Sequence, residues 1–169
     1  MTSFIDRVQI KVSGGDGGSG ISSFRREKVI PLGGPDGGDG GRGGDVYVRG
    51  DFNLATLLDY TYRDKWAAER GDHGSGNNKT GRSGEDIVLP VPPGTIVRDI
   101  ETGEILGEVL ADGDEILVAK GGRGGKGNAF FATPTHHARR EWQPGEEGVA
   151  RTVELELNLI ADVGLVGQP

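Results

Sequence analysis

Glycine returns at every third position in four stretches of this chain. It stands at Gly14, Gly17 and Gly20; at Gly34, Gly37, Gly40 and Gly43; at Gly71 and Gly74, then Gly81 and Gly84; and at Gly121, Gly124 and Gly127. An offset register runs beside it through Gly15 and Gly18, through Gly38, Gly41 and Gly44, and through Gly122 and Gly125. Three is the period of neither helix nor strand. It is the repeat of the extended polyproline II conformation, in which every third residue returns to the same edge. An edge made only of glycine lets a neighbouring backbone approach with no Cβ in the way. The spacing therefore predicts a bundle of extended chains.

Glycine and proline together make up 40 of the 169 residues, just under the share at which an aperiodic chain reads as low-complexity. This chain is not aperiodic, because 23 of its 32 glycines fall in the four stretches. Between them the sequence alternates as strands do. Val8, Ile10 and Val12 form one face of a first strand, and Val46 and Val48 resume a strand after the second stretch. Asn53 is placed to cap a short helix from Leu54 to Asp59. Tyr60, Tyr62 and Trp66 fall on even positions and suggest a return to strand. Short apolar runs follow at Ile87–Val91, Thr95–Ile100, Glu104–Leu110 and Glu115–Ala119, separated by Pro92-Pro93-Gly94, Glu101-Thr102-Gly103 and Asp112-Gly113. Val153, Leu155, Leu157 and Leu159 alternate as a last strand. The expectation is a mainly β protein: a small antiparallel β-barrel or sandwich from which the glycine-rich segments project as long lobes near residues 14–44, 71–84 and 121–140.

Three segments match the dinucleotide fingerprint G-x-G-x-x-G, at Gly15–Gly20, Gly38–Gly43 and Gly122–Gly127. That fingerprint works only between a strand and a helix N-terminus, and none of the three opens a helical pattern. Period-three glycine produces the match by itself. Collagen is excluded by the shortness of the runs and their lack of proline. The chain has no cysteine, so no disulfide or thiolate site is available. His73, His136 and His137 do not form a metal-ligand pattern, and no catalytic constellation stands out. With no signal-peptide or membrane-spanning run, a cytoplasmic location is expected.

Net charge is −7, yet it is unevenly distributed. Residues 14–44, 71–84 and 120–140 sum to +6 and the remainder to −13, so the sequence reads as an acidic body with basic projections. Arg25, Arg26, Lys28, Arg42, Lys79, Arg82, Arg123, Lys126, Arg139 and Arg140 lie in or beside the lobes. Asn77, Asn78 and Asn128 add neutral hydrogen-bonding side chains. Lysine and arginine on slim projections suit phosphate contacts in a groove of folded RNA, which is read by shape and 2′-hydroxyls. The alternatives are a protein–protein module, docking through acidic strand positions such as Glu154 and Glu156 with the lobes as spacers, and an ice-binding bundle.

Four stretches carry a family resemblance. Phe24-Arg25-Arg26-Glu27-Lys28 followed by Gly33-Gly34-Pro35-Asp36-Gly37-Gly38-Asp39-Gly40-Gly41-Arg42-Gly43-Gly44 resembles the N-terminal domain of the Obg GTPases, as does Gly121–Asn128. Leu159–Gly167 is similar to the first strand of a GTPase domain running into its phosphate loop. The resemblance implies an Obg domain over 1–158, with a polyproline II bundle on a β-barrel, and the start of a GTPase domain over 159–169. It further implies a bacterial GTPase acting in assembly of the large ribosomal subunit, contacting its rRNA, with a link to guanosine tetraphosphate. GTP and Mg²⁺ are implied as cofactors of the longer protein. Gly167, Gln168 and Pro169 would open the phosphate loop, and its lysine and Ser/Thr do not follow here. The chain by itself is accordingly expected neither to bind nor to hydrolyse GTP.

Overall fold

The computed structural model describes residues 6–24, 34–131 and 141–158. Its strands are β1 (Arg7–Ser13), β2 (Val46–Gly50), β3 (Lys65–Ala67), β4 (Ile87–Val91), β5 (Thr95–Asp99), β6 (Ile105–Val109), β7 (Glu115–Ala119) and β8 (Ala150–Leu157). They form a five-stranded sheet in the order β3-β1-β8-β5-β6 and a three-stranded sheet in the order β4-β2-β7. Alternation explains the layering. Ile10 and Val12, Val153 and Leu155, and Val97 point inward from the larger sheet, while Val46 and Val48, Leu89 and Val91, and Val118 do so from the smaller. These side chains form one core, and each contributes about 1.5–3 kcal/mol when fully buried. Register keeps the apolar faces aligned: Ile10 sits opposite Val153, and Val97 opposite Leu155.

Two expectations are corrected. The body forms two sheets whose strands are not all antiparallel, since the β1–β3 and β2–β4 pairings are parallel. The short helix α1 is Asp59–Tyr62, not Leu54–Asp59, and Leu58 at its start makes no side-chain cap. Asn53 is instead held in an Asx turn, its N–H donating to Asp51 Oδ1 at 2.9 Å. Tyr60 and Tyr62 are therefore helical; Tyr60 turns inward and its hydroxyl donates to the Pro90 carbonyl at 2.6 Å. Trp66 does lie on a strand, β3. The remaining turns follow sequence chemistry, with Gly94, Gly103 and Gly113 at φ of +98°, +76° and +89° between strands.

The glycine stretches form a bundle of extended segments, here 14–21, 36–44, 69–75, 79–85, 120–128 and 143–149. Each prolongs a strand of the body: β1, β2, β3, β4, β7 and β8 respectively. The hydrogen bonds advance in threes. Gly15, Gly18 and Ile21 donate to the carbonyls of Gly44, Gly41 and Gly38 at 2.9, 2.8 and 3.2 Å. Gly14, Gly17 and Gly20 donate to Val149, Glu146 and Gln143, and the carbonyls of Asp16 and Ser19 accept from Gly71 and Gly74. The carbonyls of Gly15, Gly18 and Ile21 accept from Gly122, Gly125 and Asn128, so one segment serves four neighbours along three edges, which a two-faced strand cannot do and a threefold extended chain can.

Glycine is required by that closeness. A Cβ at Gly43 would fall on the Gly15 carbonyl oxygen, one at Gly40 on the Gly18 carbonyl oxygen, and one at Gly14 on that of Lys120. Two edges of segment 14–21 are all glycine apart from Ile21, and the third carries Asp16 and Ser19. The final segment, 143–149, lay outside the predicted lobes. Gly145 and Gly148 keep the three-residue spacing, and a Cβ on either would strike Gly17 or Gly14.

Candidate nucleic-acid interface

With glycine on the inward edges, side chains of the bundle emerge only along its outer edges, and neighbouring segments bring opposite charges together. Arg42 reaches Asp45 Oδ1 at 2.8 Å. Arg82 lies 3.2 Å from Glu69 and 3.6 Å from Asp72. Arg123 lies 3.3 Å from Glu146, and Lys126 3.4 Å from Asp39. Lys126 also stands 5.1 Å from the centre of the exposed Phe130 ring. The backbone N–H and guanidinium of Arg123 together hold the Glu146 carboxyl below the usual carboxylate range. Lys79 is exposed and makes no ion pair among the described residues. Arg25, Arg26, Lys28, Arg139 and Arg140 lie outside the described residues, as do Gly167, Gln168 and Pro169.

The expected split between acidic body and basic projections does not hold for the described bundle. Segments 69–75 and 143–149 belong to it, and they bring Glu69, Asp72 and Glu146 against the cations. The sequence reading assigned Glu69 and the glutamates after Arg140 to the body because only densely clustered glycines were counted as lobe.

Three neutral side chains also find specific places. Asn128 is fully buried; its Oδ1 accepts from the Gly37 N–H at 2.7 Å and its Nδ2 donates to the Ser23 carbonyl at 2.9 Å. It is a structural tie between segments rather than a surface group. Asn77 and Asn78 adopt φ of +61° and +58°, the left-handed region that asparagine tolerates, and their amides donate to Asp36. His73 Nδ1 accepts from the Ser19 N–H at 3.0 Å, which gives this histidine a structural role. Among the described residues no group of His, Asp and Glu is placed to hold a metal ion.

On the body, Glu154 and Glu156 are matched by cations on the flanking strands. Arg98 lies 3.1 Å from Glu154, and Arg7 lies 2.7 Å from Glu156, whose carboxyl is held low mainly by the Arg7 hydrogen bond. The acidic stripe required by a docking module is thereby neutralised in place.

The family model described as GTP1/OBG matches residues 5–159. The chain belongs to the GTP1/OBG family. It is 57% identical over 166 residues to the GTPase Obg of Chloroherpeton thalassium and 58% identical over 166 residues to that of Chlorobaculum parvum. It is also 54% identical over 169 residues to the GTPase Obg of Persephonella marina. In each case 98% of this chain is covered, and it spans about half the length of these Obg relatives. The bundle and two-sheet body together make up the Obg portion matched by the family model. No helix among the described residues of this Obg chain is long and apolar enough to cross a membrane.

Proposed function

We infer that this chain is the RNA-contacting N-terminal part of an Obg-type GTPase, working in the cytoplasm on assembly of the large ribosomal subunit. Membership of the GTP1/OBG family over nearly the whole chain carries the reading. GTP hydrolysis, its Mg²⁺ and any response to guanosine tetraphosphate belong to the half of the Obg relatives that this chain does not span. The bundle's part is mechanical and electrostatic. Apart from the buried Asn128 and Asp36, its backbones are packed too closely for inward side chains, so it is slender and stiff, and its edges present Arg82, Arg123, Lys126 and Lys79 to a grooved RNA surface.

The ion pairs alter how such contacts respond to salt. A lysine that takes a phosphate normally releases a counterion from the RNA. Arg82, Arg123 and Lys126 each leave a carboxylate behind, which recaptures a cation from solution. If about 4–6 phosphates are engaged, log affinity falls against log salt with a slope of roughly −3 to −5, and this exchange places it toward −3. The test is binding of the chain to purified large subunits across a salt series. Replacing Arg123 and Lys126 together with glutamine weakens binding with little change in the slope, because each of these cations trades a carboxylate for a phosphate, and the thermal midpoint moves little because one pair is exposed and the other half-exposed. Binding that is indifferent to salt would overturn the reading.

A further inference from the structure

The cations without carboxylate partners include a group on the body, where sequence inspection placed none of the candidate contacts. An open groove of about 630 Å³ runs along the β3 edge of the larger sheet, lined in part by Lys11, Arg63, Lys65, Trp66 and Arg151. Lys11 and Lys65 are register partners on the parallel strands β1 and β3, so their side chains leave the same face about 5 Å apart at the backbone. Both are exposed and make no ion pair among the described residues. Two like charges side by side repel and gain from an anion placed between them.

Arg63 is held in a defined pose. Its guanidinium carbon lies 3.8 Å from the centre of the Trp66 ring, and its Nε donates to the Lys65 carbonyl at 3.2 Å. Trp66 Nε1 in turn donates to the Arg63 carbonyl at 3.1 Å, and the indole is braced from below by Tyr60 at 5.8 Å. A planar cation stacked on an aromatic leaves its other face free for a nucleobase. Arg151 is committed to Asp99 at 2.6 Å, and Glu101 is the groove's acidic member, so the cations still prevail.

We propose that the Lys11–Arg63–Lys65 groove is a second RNA site, taking an unstacked nucleotide with its phosphate across the two lysines and its base on Arg63. It rests on the RNA-contacting reading above and adds a body contact to those of the bundle. Because these lysines give up no carboxylate, the phosphate they hold contributes its full share to the salt dependence.

The chain has two tryptophans, Trp66 and Trp142, so Trp142→Phe leaves Trp66 emission as a reporter of the groove. Titration with octauridylate should change that emission saturably. Arg63→Gln should weaken the titration about tenfold or more, in line with loss of a stacking partner. Lys11→Gln with Lys65→Gln should lower its salt slope by about one, the share of the single phosphate the two lysines hold. These three side chains are exposed, and the unchanged thermal midpoint of each variant is checked alongside. No emission change, or equal affinity in the variants, would overturn the groove. An equal response to polyglutamate of matching charge would overturn its assignment to RNA. Large-subunit binding that weakens in the Arg123/Lys126 variant but not in the groove variants would remove the groove and leave the proposed function standing. No large-subunit binding by the parent chain, with octauridylate still bound, would do the reverse.

Discussion

Gly43 and Gly34 belong to the same glycine-rich run, yet the structure gives them opposite roles. A Cβ on Gly43 would fall on the backbone oxygen of Gly15, where no rotamer change can relieve the clash. At Gly34 nothing lies within 4 Å, and its φ is not in the left-handed region. Gly43→Ala should therefore cost at least about 3 kcal/mol, the upper end of overpacking penalties, because two segments of the bundle centre must separate. Gly34→Ala should be neutral or slightly stabilising, since alanine loses less entropy on folding. Thermal melts of the two variants decide the matter, and equal midpoints would show that the bundle yields easily. The repeat in the sequence announced that glycine is needed, but not which glycines bear the load. Gly43 and Gly34 are indistinguishable until their neighbours are known.

At the level of elements, the strands were legible because alternation and turn glycines are local signals. Ile87–Val91 and Glu115–Ala119 were located to the residue. The helix was not: the Asp51 carboxylate takes the Asn53 N–H and the Asp51 carbonyl takes the Leu54 N–H, so the chain turns around Asp51 where a helix from Leu54 was expected. Segment pairing was also hidden, since it joins residues far apart in sequence, as in the bond from Gly14 to Val149.

Asp45 shows what secures the joint between bundle and body. Its Oδ1 accepts from the Gly121 N–H at 2.7 Å and from Arg42 at 2.8 Å, and Oδ2 accepts from the Tyr47 hydroxyl at 3.1 Å. Burial pushes this carboxyl up, but the three hydrogen bonds outweigh it and hold the pKa below the ordinary value. A depressed folded-state pKa gives stability that is complete above the unfolded value of about 4 and is lost as pH falls through the folded one. Asp45→Asn should therefore cost about 2 kcal/mol at neutral pH. The gap from the parent chain should close in acid, as the pH falls through the lowered folded-state value. Denaturant titrations at several pH values measure it; a gap that persists in acid would assign Asp45 a packing role instead.

Across the whole molecule, the question is whether a bundle with almost no side-chain core can be as stable as the sheets beneath it. The described bundle is held by hydrogen bonds and by glycine α-hydrogens facing carbonyl oxygens, each weak alone. Six strands continue without a break into six segments, however, so the bundle cannot open without pulling on the core at every junction. Asp45 and Asp86 add crosslinks at the level where segments become strands, Asp86 Oδ1 accepting from the Asp45 N–H at 2.7 Å. Continuity of this kind makes one cooperative unit rather than a stable body with a fraying appendage. Amide hydrogen exchange should then place Gly15, Gly18, Gly40 and Gly43 in the same slow class as Ile10 and Val48. Gly43→Ala should lower protection in bundle and sheets together. Bundle amides that exchange freely while the strand amides stay protected would show that the projections open by themselves. Such a bundle would have to be ordered by its RNA partner, and its slenderness in the free chain would then count for little.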